Sequence, residues 1–316
     1  MQKAPISEDV LTLQRRTGLS SHRAQDNLTI ALFLLPALAI FFIFLIYPIS
    51  QSVYYSFFNW KGFGPALDFV GLENFKRILT DQVFIKAVRN GLLIVVLSLT
   101  IQLPLSLTLA LMVGRDLPGR AFFRTIFFMP YVLSEVITGI MWLSLYHPDP
   151  KRGFINALLI LIPGAKAHPW LADTDTVLVC LFVVLTWKYF GFHMLLYMAG
   201  LQNIPPEIEE AARIDGANRR QLITHITVPL LGSTIRTSVY LSVLGSLQQF
   251  VLVWVMTKGG PVNASEVMAT YMYRFGFVRF LLGYGSAVAI VMLLISLAFS
   301  LAYLRLVRQP DYLGSM

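Results

Sequence analysis

The sequence has a single cysteine, Cys180, set inside an apolar run. That excludes an intrachain disulfide, a thiolate metal cluster and a CxxC redox pair. Charge is scarce as well, at 13% of the 316 residues against about 25% in soluble chains. No lysine follows a glycine, so there is no phosphate loop, whose lysine must reach the β- and γ-phosphates. None of the five histidines opens an HExxH zinc motif, and no GxSxG nucleophile elbow occurs. The chain has no phosphate-loop route to ATP hydrolysis. Uphill movement of a solute would have to draw on an ion gradient or on another subunit.

What is abundant is apolar surface. Apolar and aromatic residues make up 56% of the chain, too much for a soluble globule of this size to cover with polar skin. This reads as an all-α, polytopic membrane protein. Six runs, at 28–49, 91–113, 121–146, 177–201, 230–256 and 282–307, are long enough to cross a hydrocarbon core of about 30 Å as helices. A membrane domain over 28–307 then separates an amino-terminal segment, 1–27, from a tail at 308–316. The polar start, with Arg15, Arg16 and Arg23, leads into a run too long for a cleavable signal and ending in Tyr47-Pro48-Ile49, so it reads as an uncleaved first span. The net charge of +8 lies mostly between the apolar runs, where it sets topology and meets lipid headgroups, with no nucleic acid implied.

Six spans put both termini on one side. Basic residues hug span ends at Arg115, Arg120 and Arg124, at Arg219, Arg220 and Arg236, and at Arg305 and Arg308, which places both termini in the cytoplasm of a cell (inner) membrane protein. Of the outer segments, 50–90 carries Phe75, Ile78 and Leu79 at helical spacing beside Lys76 and Arg77, which predicts a short helix lying on the membrane surface. Segment 147–176 is rich in proline, and its short run Phe154 to Ile162 is expected at the interface or under a loop. Segment 257–281 opens with the turn Thr257-Lys258-Gly259-Gly260-Pro261.

The most informative stretch is 205–229, PPEIEEAARIDGANRRQLITHITVP. Pro206 suits a first helical turn, and Glu207, Glu209 and Glu210 favour its positive end. Ile208, Ala211 and Ala212 give that helix a small, smooth face. Gly216 permits the left-handed conformation that ends a helix. Asn218 caps the next, with Gln221 as its capping-box partner. Leu222, Ile223 and Ile226 supply an apolar stripe, and Pro229 marks the junction with the fifth span. A helix pair outside the membrane with bare alanines and a glycine hinge fits docking into a groove on another protein better than service as a solvated connector.

Glu210-Ala211-Ala212, then Gly216, Ile226 and Val228-Pro229 at their spacing resemble the EAA motif of binding-protein-dependent ABC importer permeases. The turn at 257–261, with Tyr47-Pro48 and Ser56-Phe57, is similar to the carbohydrate-uptake, MalF-like branch, without the large outer insertion and extra spans of maltose MalF. Val228 stands where leucine is usual, and a second proline often found just after the motif is missing near Ser233.

That resemblance implies a transport subunit with no cofactor of its own. ATP and Mg would sit on two partner ATPase subunits, beside a second permease subunit and an extracytoplasmic solute-binding protein. Glu210, Ala211, Ala212, Asp215, Gly216, Ile226 and Pro229 would form the coupling loop, with Glu210 paired to a basic group on the ATPase and Gly216 setting the helix angle. Gly216→Asp is expected to abolish transport while leaving insertion intact.

For a sugar-like substrate the fifth span offers Ser242, Ser246, Gln248 and Gln249 with Gly245, and Gln249 resembles a polar position lining the maltose permease site. The fourth span offers Trp187, Lys188, Tyr189 and Phe192. Each could instead be helix–helix glue. Glu135 and Lys188 are charges well inside spans, readable as an ion pair or as neighbours of a cavity. A self-contained secondary transporter remains the alternative; it needs carboxylates deep in spans, for which Glu135 is the lone candidate. A membrane enzyme would need a clustered catalytic set that the chain does not show.

Overall fold

The computed structural model describes residues 29–114 and 119–307. The polar segments 1–27 and 308–316, with Arg115 and Arg308, lie outside the described residues. Within those residues the chain is helical, with one isolated antiparallel bridge between Phe58 and Phe69. Five helices are long and apolar enough to span a membrane, and a bent helix pair makes a sixth.

The chain divides into two units, one ending at Tyr55 and one beginning at Ser56. In the first, α1 (Thr29–Tyr55) runs past the expected end at 49. In the second, α2 (Gln82–Val113) starts nine residues before the expected 91. Lys86 and Arg89 interrupt the apolar run there and hide the helix from a hydropathy reading. Its start is fixed by Asp81, whose carboxylate accepts from the backbone N–H of Val83 at 2.7 Å and of Phe84 at 3.2 Å.

The third span is not one helix. α3 (Arg120–Val132) and α4 (Glu135–Leu145) meet at 97° across Leu133 and Ser134, whose ψ angles of 144° and 139° are extended. A proline precedes this break, but proline alone does not make one: α1 continues through Pro36 without a π-turn. A proline ring clashes with the carbonyl four residues earlier. Before Pro48, Pro104 and Pro229 the helix widens into a π-turn, at Phe42–Ile46, Ser98–Gln102 and Leu222–Thr227, each containing that carbonyl's residue. The first two of those helices continue, and the third stops one residue after Pro229, at Leu230. Pro130 has no such turn before it, and α3 ends two residues later.

α5 (Val177–Gln202) packs against α2 and α3. At its crossing with α3, a Cβ on Gly191 would sit 1.9 Å from the Phe127 carbonyl oxygen, so only glycine allows this approach. Gly191→Ala must force two backbones apart and is expected to cost about 3 kcal/mol, the upper end for overpacking. Denaturant titration in mixed micelles checks it.

Next come α6 (Pro206–Ile214) and a turn of helix from 219 into the wide turn before Pro229. The fifth span, Gly232–Met256, is itself interrupted between α7 (Gly232–Leu247) and α8 (Val251–Met256). Its junction with the preceding loop falls at buried Leu231, not at Pro229. α9 (Leu282–Leu306) closes the described fold.

The short helix Glu73–Thr80 forms where spacing predicts it, but its role differs. Ile78 is fully buried and Phe75 packs with it in a core that includes Tyr271, Phe275 and Tyr284. The Arg77 guanidinium lies 4.5 Å from the Tyr284 ring centroid. A face committed to protein in this way is not a membrane-surface face. The helix at Phe154–Leu159 turns Asn156 inward, where its amide donates to the carbonyls of His147, Pro148 and His168. Phe154, Leu158, Leu161 and Ile162 stay exposed.

The turn after α8 is built on an ion pair that hydropathy could not reveal. Glu266 is fully buried and lies 2.7 Å from the Arg274 guanidinium. Arg274 also donates to the Asn263 side chain at 2.8 Å and the Lys258 carbonyl at 2.5 Å. Asn90, projecting from α2, donates to the carbonyls of Ala264 and Glu266, both at 2.9 Å.

Candidate functional site

Two places carry the chemistry singled out above. The first is the helix pair around Gly216. Pro205 and Pro206 open α6, Glu207 and Glu209 lie in its first turn and Arg213 in its last, all matching the helix dipole. Gly216 has φ +86°, a conformation that disfavours any residue with a Cβ, and an added Cβ would meet nothing within 4 Å. Asn218 and Gln221 exchange hydrogen bonds of 2.9 Å, side chain to backbone in both directions. Such a box is worth about 1 kcal/mol.

The face of α6 is split. Ala212 turns inward and is buried, as is Leu222 on the following turn. Glu210, Ala211, Asp215 and Gly216 are exposed, as is Pro229, while Ile226 is half-buried. Ile208 is 40% exposed and Ile214 86%. An isoleucine held almost wholly in the open, in a charged loop, is the outlier of this surface. Between the loop and the ends of α2 and α5 lies a cleft of about 650 Å³, with Glu209, Arg213 and Arg219 on its wall beside Leu201 and Leu222.

The second place is a cavity of about 280 Å³ among the middles of α2 and α5, the broken end of α3 and the last turns of α7. Tyr189 and Phe192 line it from α5, with Ser242, Gly245 and Ser246 from α7 and Gln249 from the interruption after α7. Irregular backbone at this depth is tolerated where it is buried in protein or borders a cavity, and both interrupted spans reach this one. A Cβ on Gly245 would meet nothing within 4 Å, so this glycine leaves room in the cavity and does not mark a close helix crossing.

Trp187 and Lys188 are not on the wall. Trp187 packs edge-on against Trp142, ring centroids 5.6 Å apart. Lys188 is buried, and its ammonium donates to the carbonyls of Pro130 at 3.2 Å, Tyr131 at 3.3 Å and Leu133 at 2.5 Å. These are the orphan acceptors at the broken end of α3, where the dipole is negative. Glu135 opens α4, where the dipole favours an acid, and accepts a short hydrogen bond from the Tyr189 hydroxyl. Lys188 and Glu135 therefore dress the two ends of the break and form no ion pair with each other.

The wall also holds residues that sequence reasoning passed over: Ser98 and Gln102 on α2, Tyr131 on α3 and His193 on α5. The Tyr131 and Phe192 rings stack at 4.9 Å. Ser98 lies 3.3 Å from the Ser246 hydroxyl, and His193 Nδ1 lies 2.8 Å from the Ser238 hydroxyl. A polar pair four residues apart inside an apolar run, and a histidine four after Tyr189, were the available signals.

Known proteins place this architecture. Residues 102–311 match the family described as "binding-protein-dependent transport system inner membrane component". The lactose transport system permease of Rhizobium radiobacter is 33% identical, the match covering 92% of this chain and 96% of that protein. The diacetylchitobiose uptake system permease of Streptomyces coelicolor is 32% identical over 87% of this chain and 81% of its own. A solved bacterial alginate ABC transporter, in complex with an alginate pentasaccharide-bound periplasmic protein, has a chain that superposes with TM-score 0.79 at 26% identity. That match covers 91% of this chain and 96% of the other.

Proposed function

Because the chain belongs to the family of binding-protein-dependent transport system inner membrane components, we propose that it is a permease of an ATP-driven importer of a sugar or sugar-like solute, working by alternating access. Membership makes it a multi-pass permease subunit and not an enzyme in itself. In this reading both termini and the 205–229 loop are cytoplasmic, and ATP with its Mg is bound by two ATPase subunits. A second permease completes the pathway, and a solute-binding protein delivers the solute from the far side.

The observation that carries the reading is the exposed face of the Gly216 helix pair. Ala211 is bare, Ile214 is 86% exposed, and Glu210 and Asp215 ring them with charge. Burying an isoleucine side chain stabilises by roughly 1.5–3 kcal/mol. An ATPase groove that accepts this face would gain that energy and grip the loop as a lever. ATP-driven closure of the ATPase pair would then move α5 and α7, which the loop joins, and alternate the cavity between the two sides of the membrane.

The cavity suits the proposed cargo. Hydroxyls and amides from Ser98, Ser242, Ser246, Gln102 and Gln249 face rings of Tyr131, Tyr189 and Phe192. Sugars present hydroxyls to the first set and a C–H face to the second. An ion-coupled secondary transporter would place a carboxylate on the path, whereas Glu135 is held by Tyr189 at the break.

Purification of the chain from a strain expressing all partner genes tests the reading. The ATPase subunits are expected to co-elute in detergent, and Ile214→Ser is expected to weaken their retention about tenfold, the equivalent of about 1.4 kcal/mol. Full uptake by the chain without ATPase subunits would refute it.

A further inference from the structure

The cavity has a chemical character narrower than carbohydrate. Among the described residues, no lysine, arginine, aspartate or glutamate lines it. The two charges nearest to it in sequence are already consumed. Lys188, adjacent to Tyr189, spends its ammonium on three carbonyls of the α3 end, and Glu135 takes the Tyr189 hydroxyl at the start of α4. Reaching either one would mean undoing the break that they dress. The Ser242 hydroxyl is buried on the wall and has no hydrogen-bond partner among the described residues. A buried hydroxyl without a partner costs free energy unless a ligand supplies one.

We infer that this site binds an uncharged polyhydroxylated ring, with Ser242 hydrogen-bonded directly to a ligand hydroxyl, and that it rejects the carboxylated or phosphorylated counterpart of the same ring. The inference rests on the sugar-importer reading and deepens it. An anion brought to this depth leaves water and finds no cationic side chain on the described wall free to pair with it. His193 is bonded to the Ser238 hydroxyl and Lys188 to the α3 end. A neutral ring trades its water for hydroxyl and amide partners on one side and aromatic faces on the other. A solved transporter of the same fold is involved in the import of the acidic polysaccharide alginate. The difference would lie in the wall, not the architecture.

The test uses the assembled transporter in detergent, with its second permease and ATPase subunits and without solute-binding protein. Calorimetric titrations compare methyl glycosides with the matching methyl uronides in the glucose, galactose and N-acetylglucosamine series. Each pair differs by CH2OH against carboxylate. At least one neutral member is expected to bind at least a hundredfold more tightly than its uronide. Ser242→Ala should weaken that neutral ligand about tenfold, with the complex still eluting as one assembly. Equal binding within pairs, preference for a uronide, binding of neither member, or an unaffected Ser242→Ala variant overturns the inference. The importer reading survives each of those results if vesicles holding the complete system still take up a sugar, and it falls separately if they take up none.

Discussion

Gly216→Asp and Gly216→Val are each expected to reduce solute uptake below about 1% of the wild-type rate while leaving the amount of folded protein in the membrane unchanged. Gly216 sits at φ +86°, where a residue with a Cβ pays about 1–2 kcal/mol. None of the described residues lies within 4 Å of the added Cβ, so no clash with them follows and no core is disturbed. The capping box at Asn218 and Gln221 begins two residues later and keeps the second helix in place. Fold and insertion survive. What changes is the turn angle between the two helices and the shape of a surface that only a partner would feel. Aspartate tolerates the left-handed region better than valine, so equal losses from both would place the effect at the contact, and a valine-specific loss would place it in the backbone. Uptake by vesicles and the yield of monodisperse protein check the two halves.

Lys188→Met is expected to produce the largest loss of stability of any single change in the membrane core, about 3–5 kcal/mol. Methionine keeps most of the stem and removes the ammonium. Three carbonyls, of Pro130, Tyr131 and Leu133, would then face protein with no donor. Each hydrogen bond to a charged group is worth about 1.5–3 kcal/mol, and orphaned buried acceptors keep their desolvation penalty. Water reaching from the cavity would offset part of the loss, which keeps the figure below three full bonds. Denaturant titration in mixed micelles reads this directly. A cost under about 1 kcal/mol would mean that the break at Leu133 and Ser134 does not depend on Lys188.

The break itself shows where reading from sequence runs out. Composition locates the spans because lipid demands long apolar helices, and the Gly216 loop is legible because proline, glycine and capping residues act on their immediate neighbours. The third span is different. Its residues 121–146 are mostly apolar, with Arg124 near the start and Glu135 inside. The carbonyls freed at its 97° bend are held by an ammonium 55 residues downstream of Leu133. That donor leaves no local mark. Likewise the buried Asn90 and Glu266 look like ordinary polar residues until the fold brings them together across 176 positions.

The cavity was half legible. Ser242 and Ser246 follow one stripe of α7, at i and i+4, and Gln249 joins them from just past its end; all three line it. On α5 the facing stripe is Leu185, Tyr189, Phe192 and His193. Trp187 and Lys188 are adjacent in sequence, but each residue step turns a helix by about 100°, which carries both away from that stripe. A periodicity count would have kept His193 and dropped Trp187. The same count brings in Ser98 and Gln102, four apart on α2.

The central claim is that the Gly216 helix pair is gripped by an ATPase subunit on the cytoplasmic side. Cys180 is the lone thiol and is buried, so a Cys180→Ser, Ala211→Cys chain carries one accessible reporter. In intact cells with the complete system, a membrane-impermeant maleimide added outside should leave that cysteine unlabelled, and a short bifunctional cross-linker that enters the cell should join it to the ATPase subunit. Labelling from outside, or a reporter that stays free of the ATPase after cross-linking, would contradict the account.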